Sequence, residues 1–204
     1  MTTPKKLLHV GCGQKRKNQT TAGFNTDDWI EIRYDIDSTV EPDVTGSITD
    51  LAKIESGSVD GVFSSHNIEH LYAHEVPIAL KEFNRVLSED GFLVITCPDL
   101  KSICQLVVQD QLEDAAYSSP AGPIMPLDVI YGFSRSIEDG NTFMAHKTGF
   151  TKKTLAMKAS QSGYANWAAA ERGAPYFDLW LLATKSKKTE EEIQSLCKLY
   201  FTPL

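Results

Sequence analysis

Leu7-Leu8-His9-Val10-Gly11-Cys12-Gly13 constrains this chain more than any other stretch. A short apolar run that breaks at two glycines, one residue apart, is how a buried parallel strand ends in a tight turn beneath a nucleotide. A Cβ at either glycine would hold a ligand away from the backbone. Apolar-Gly-x-Gly turns also occur by chance, so the residues that follow decide what this one means.

Residues 14–28 show no helical apolar period, and we expect a polar loop with at most one short helical turn. Within it, Lys15-Arg16-Lys17 reads as a solvated charge run. Trp29 to Tyr34 then alternates with a strand period and ends in Asp35-Ile36-Asp37. Asp35 stands about twenty residues past the glycines, where an acidic residue closing a second strand accepts the two ribose hydroxyls. A carboxylate offers two acceptor oxygens to two vicinal donors. The alternative for such an Asp is a turn former.

A short strand is expected near Val44 and a buried one from Val59 to Ser65, followed by the polar set His66-Asn67-Ile68-Glu69-His70. Val76, Leu80, Phe83 and Leu87 repeat at helical spacing, with Pro77 in the first turn and Asp90-Gly91 as the stop. Phe92 to Thr96 is a further buried strand. Residues 100–146 break the alternation. They read as an insertion over the ligand face: a helix through Ile103 and Val107, a loop from Ser118 to Pro126, then an apolar segment from Leu127 to Phe133. Thr151 caps a helix that stops at Gly163. Asn166–Glu171 and Tyr176–Lys185 are expected to pair antiparallel, and Thr189 opens a last helix carrying Ile193 and Tyr200. The fold expected is a single α/β domain over residues 1–204. Its Rossmann-like, mostly parallel sheet has flanking helices, an antiparallel C-terminal strand and a helical insertion.

A net charge of -7 argues against a broad grip on nucleic acid, which needs a basic face. The four cysteines are scattered without metal-ligand spacing, so no metal is expected and a reduced, cytoplasmic setting fits. Cys12 reads as a small side chain suited to a tight turn. Lys5-Lys6 precede an apolar run too short for a signal core, and no stretch reaches the length of a membrane span.

Four segments together carry a family likeness: Leu8 to Gly13, Tyr34 to Asp37, Val59 to Leu71, and Leu80 to Leu87 followed by Asp90 to Ile95. In this order and spacing the chain resembles a class I S-adenosylmethionine-dependent methyltransferase of the small "type 11" kind. His146 to Leu155 also resembles the stretch after the substrate insertion in such enzymes. The resemblance implies that backbone around Val10, Gly11 and Gly13 holds the methionine part of S-adenosylmethionine. It implies Asp35 on the ribose, Ile36 beside the adenine, Ile48 and Asp50 at the adenine edge, and Ser65 and His66 near the sulfonium. The chain departs from the family at Ser47, where an acidic residue often meets the adenine amino group, and Asp50 is the candidate substitute. The helix that usually follows the glycine turn is also shortened. Where a dinucleotide-binding turn wants a third glycine, this chain has Arg16.

Methyl transfer from a sulfonium is an in-line displacement that mainly requires alignment and exclusion of water. A base is needed only for an acceptor protonated at working pH. His66 and His146 are the candidates for that role, with His70 and Tyr131 as candidate substrate contacts. The leading expectation is methylation of a small-molecule acceptor such as a sugar, a glycan precursor or another metabolite. The alternatives are a non-catalytic cofactor-binding module and a nicotinamide-dependent oxidoreductase. The apolar helix of the insertion serves either as a lid or as the contact of a homodimer.

Overall fold

The computed structural model describes residues 3–201. In chain order its first half holds β1 (Lys5–Val10), β2 (Trp29–Asp35), β3 (Val44–Thr45), β4 (Val59–Ser65), α1 (Val76–Val86) and β5 (Leu87–Pro98). The second half holds α2 (Leu100–Val108), β6 (Tyr117–Ser119), β7 (Gly122–Ile124), α3 (Pro126–Tyr131), α4 (Ser134–Glu138), α5 (Lys152–Gln161), β8 (Asn166–Arg172), β9 (Asp178–Thr184) and α6 (Glu190–Tyr200). One seven-stranded sheet has the order β3-β2-β1-β4-β5-β9-β8. The strands up to β5 are parallel, and β9 runs antiparallel to both of its neighbours.

The central strands read as continuous apolar runs because both faces are covered. On one face Val76, Leu80 and Phe83 of α1 and Leu155 of α5 pack over Leu8, Val10, Val62 and Leu93. On the other, Ile193 and Tyr200 of α6 pack over Leu7, Phe63, Val94 and Leu182. The connection from β1 to β2 holds only the 3-10 turn Lys17–Gln19, as the sequence leads one to expect. In place of a crossover helix, Phe24 fills that face, its ring 4.6 Å from Tyr200 and 5.1 Å from Trp29.

Three boundaries differ from expectation. α1 stops at Val86 rather than at Asp90-Gly91, because Leu87 already pairs with Val59 and the register shifts before Gly61 meets Phe92. Asp90-Gly91 is therefore a bend inside β5; a Cβ on Gly91 would lie 2.9 Å from a Leu87 methyl. The expected loop from Ser118 to Pro126 contains the turn and second strand of a small hairpin, β6 with β7. The last strand begins at Asp178, two residues later than expected.

The β3–β4 connection is tied to α1 by Glu82. Its carboxylate accepts from Arg85 Nε at 2.7 Å and from the Leu51 amide at 2.8 Å. The Arg85 hydrogen bond, set against partial burial, holds the Glu82 carboxyl below its ordinary 4.5. A depressed pKa contributes stability above the ordinary value and loses it as pH falls below. Glu82→Gln is expected to cost about 1 kcal/mol at pH 7. In urea melts, the gap from the parent should close as pH drops through the carboxylate range.

The insertion packs Ile103 and Val129 in a small separate core with Phe177, which precedes β9. Asp128 is buried and accepts from the Met125 amide and from the amide and hydroxyl of Ser134. The far end of the insertion is pinned by the amides of Lys147 and Thr148, which both donate to the Glu69 carbonyl. It therefore sits at the carboxyl ends of the parallel strands, beside the glycine turn. Among the described residues no helix is long and apolar enough to cross a membrane.

Candidate functional site

Both glycines of the turn take left-handed backbone, with φ of +58° at Gly11 and +52° at Gly13, but for different surroundings. Asn67 donates from Nδ2 to the Val10 carbonyl at 2.7 Å and accepts at Oδ1 from the Ser64 hydroxyl at 2.7 Å. A Cβ on Gly11 would fall 2.1 Å from that Nδ2, whereas nothing lies within 4 Å of one on Gly13. Gly11 thus makes room for Asn67 rather than for a ligand; only Gly13 opens outward. Gly11→Ala should cost about 3 kcal/mol through backbone strain and a broken buried hydrogen bond. Gly13→Ala, with strain alone, should cost about 1 kcal/mol. Thermal melts of the two variants check that order.

Arg33 is 2% exposed, a cation in a sheet. Its guanidinium donates to the carbonyls of Lys15 at 3.2 Å, Glu41 at 2.6 Å, Val40 at 3.1 Å, and Gly13. It therefore fastens the glycine loop to the loop after β2. Cys12 is buried beside it, and burial lifts its thiol to about 11 despite the opposing charge of Arg33, so this thiol is no nucleophile at neutral pH. Asp35 accepts from the Gly13 amide at 2.8 Å through Oδ2 and from the Asp37 amide at 2.9 Å through Oδ1. Each oxygen keeps a further lone pair.

A cleft of about 350 Å³ opens at these residues. Gly11, Gly13, Asp35, Ile36, Ile48 and His66 border it, and His70 does too. Ile36 and Phe143 are 48% and 53% exposed there, apolar side chains about half open to the cleft. Three of the residues expected at the cofactor are not brought to it. Val10 is fully buried with its carbonyl taken by Asn67. Ser65 lies outside the lining and accepts from the Thr96 hydroxyl. Asp50 lies in a separate groove with Lys81 and Arg85, its carboxylate accepting from the Ala52 amide, so Ser47 and not Asp50 borders the cleft.

Beneath the insertion a second cavity of about 250 Å³ is bounded by Glu69, Leu100, Val129, Tyr131, His146 and Phe150. Lys147 borders both spaces, with its ammonium 4.9 Å from the centre of the Tyr72 ring. His146 and Tyr131 are thus neighbours of the cleft rather than part of its lining. His66, on the cleft side, has φ of +51°, a strained backbone for a residue with a Cβ. Its Nδ1 is 3.4 Å from Glu69 Oε1.

Glu69 is 1% exposed, and neither carboxylate oxygen has a hydrogen-bond partner among the described residues. Burial disfavours its charge, and the neighbouring His66, His70 and His146 more than offset that, so its pKa is lowered. Burial holds the His146 pKa below its ordinary value, against the attraction of Glu69. The His70 and His146 rings are 4.9 Å apart. Sequence reasoning named these histidines but missed Glu69, Asn67 and Arg33. The signal for Arg33 was a cation inside an alternating strand.

Residues 8–95 match the family described as methyltransferase domain. By structure the chain is similar to the citrinin polyketide synthase CMeT domain, with 13% identity and a TM-score of 0.56 over 91% of this chain and 47% of that one. It thus spans about half the length of that relative. It is similar to the Burkholderia thailandensis 1,6-didemethyltoxoflavin-N1-methyltransferase, solved with 1,6-didemethyltoxoflavin and S-adenosylhomocysteine, at 15% identity and a TM-score of 0.57 over 90% and 72% of the two chains. A SAM-dependent methyltransferase of Methanosarcina mazei aligns at 15% identity with a TM-score of 0.59, over 92% and 95%. No curated protein matches by sequence.

Proposed function

We propose that this chain, whose residues 8–95 match a methyltransferase domain, takes S-adenosylmethionine as its cofactor and methylates a small molecule held beneath the insertion. The observation that carries this reading is the pair of spaces meeting at Lys147, one on the glycine turn and one under the insertion. The second, at about 250 Å³, lies below the roughly 300 Å³ at which pockets for drug-sized ligands begin. A compact metabolite such as a sugar suits it better than a polymer segment. The four cysteines are free thiols, which supports a reducing, cytoplasmic setting.

The residues present fit the cofactor. Gly13 leaves its side of the cleft open, Asp35 offers two oriented oxygens to the ribose, and Ile36 and Ile48 offer apolar flanks to an adenine. Ser47 borders the adenine end without a carboxylate. The bound cofactor supplies a methyl group already activated by the sulfonium charge. The chain's own work is then positioning. Asp35, fixed by two amides, sets the depth of the ribose. The insertion, pinned at Glu69, shields the acceptor from water. In this reading His66, which borders the cofactor cleft rather than the acceptor cavity, hydrogen-bonds an acceptor hydroxyl that reaches into the cleft.

S-adenosylhomocysteine at a hundredfold excess over its Kd should stabilise the fold by about 2.7 kcal/mol, a rise in Tm of about 5–10 °C. NAD(H) should leave the melt unchanged. Transfer of labelled methyl groups to a panel of small hydroxylated acceptors then tests the reaction. A flat melt with S-adenosylhomocysteine would sink the reading.

A further inference from the structure

We propose that Glu69, His70 and His146 bind a divalent first-row metal ion, zinc being the first choice, between the cofactor cleft and the acceptor cavity. One ring nitrogen of each histidine and a carboxylate oxygen of Glu69 lie within 4.8 Å of one another. Tetrahedral coordination at about 2.1 Å needs ligand atoms about 3.4 Å apart, so the set closes on an ion by movements on the order of 1 Å.

The hydrogen bonds around the cluster determine what it can hold. His70 Nδ1 lies 3.2 Å from the Ala145 carbonyl, and His146 Nδ1 lies 2.7 Å from the Val129 carbonyl. A carbonyl only accepts, so both Nδ1 atoms carry the proton and donate. In the neutral ring, Nε2 is then a bare lone pair. This is the outer-shell arrangement that orients metal-ligating histidines, with the second ring nitrogen held by a backbone carbonyl. Each ring thus keeps one lone pair for an ion beside a buried carboxylate whose nearest donor, His66 Nδ1, stands 3.4 Å away from Oε1. Acceptors gathered with so little donation favour a cation.

Two imidazoles and one carboxylate make a set of three protein ligands, the pattern that leaves a fourth position open for substrate. Glu69 and His146 both border the acceptor cavity, so the open position belongs to the acceptor. This second step rests on the methyl-transfer reading: an oxygen-bearing acceptor, hydroxyl or carboxylate, completes the coordination sphere. Binding of the ion does not rest on it. The competing occupant is a proton, which would make one ring an imidazolium paired with Glu69.

The test is titration of chelator-treated protein with Co2+, read by its visible d–d absorption, and with Zn2+ by calorimetry. One equivalent should bind. His146→Ala and Glu69→Gln should each weaken binding at least about a hundredfold, and His74→Ala, a histidine outside the cluster, should not. Far-UV circular dichroism and S-adenosylhomocysteine binding show which variants remain folded, and the two cluster variants stand in for each other if one is not. No stoichiometric uptake, or uptake equal in all variants, would overturn the site and assign the cluster to a proton. Cofactor binding with no metal uptake rejects the ion alone. Metal uptake with no cofactor binding rejects the methyltransferase reading alone.

Discussion

Arg33→Met should destabilise the protein by about 3–5 kcal/mol, a fall in Tm of about 10 °C or more. The methionine keeps the apolar stem and removes the guanidinium, leaving the carbonyls of Gly13, Lys15, Val40 and Glu41 without their donor. Each unsatisfied carbonyl costs about 1–3 kcal/mol, and water entering the loosened loops recovers part of the sum. Against a typical total of about 5–15 kcal/mol this is a large fraction. The loops on both sides of the cleft lose the same fastener, so S-adenosylhomocysteine affinity should fall with stability. Urea denaturation with and without ligand checks both. A loss below about 1 kcal/mol would mean that the four carbonyls are satisfied without Arg33.

Asp35→Ala should weaken S-adenosylhomocysteine binding at least about a hundredfold, with a smaller effect on the unliganded melt. Two charge-assisted hydrogen bonds to vicinal hydroxyls contribute roughly 3 kcal/mol together, and each 1.4 kcal/mol is tenfold in Kd. The alanine also frees the amides of Gly13 and Asp37, which can turn to water in the open cleft. Asp35→Asn keeps the shape and one acceptor oxygen and should fall between the two. Calorimetric titration of all three forms decides the matter. Unchanged affinity in the alanine variant would remove Asp35 from the ribose.

The parallel core was readable because its strands are apolar along their length, and the glycine pair located the turn. Residues set by tertiary contact were not readable. β2 alternates, yet Ile30 is 52% exposed while Arg33 is buried, the reverse of their hydropathy. The four carbonyls brought by the glycine loop and the loop after β2 explain that inversion. Asn67 lay in the right segment, but its role depends on the Val10 carbonyl, 57 positions earlier. Asp50 reads at the adenine edge from its distance along the chain; its side chain caps the Ala52 amide, and Ser47 borders the cleft. Glu69 reads in sequence as one of a polar set after a strand; the fold buries it, with the end of the insertion bound to its carbonyl.

The aromatic patch around Phe24 also sets an order of assembly. The Gly23 amide donates to the Leu199 carbonyl at 3.1 Å, and a Cβ on Gly23 would press on the Tyr200 ring at 2.6 Å. The first connection of the sheet is therefore moulded against the last helix. The strands that border the cleft come early in the chain, but the rings of Phe24, Trp29 and Phe92 gain the Tyr200 ring only from the last helix. The half of the chain that holds the nucleotide turn is the first to be made and among the last to be sealed.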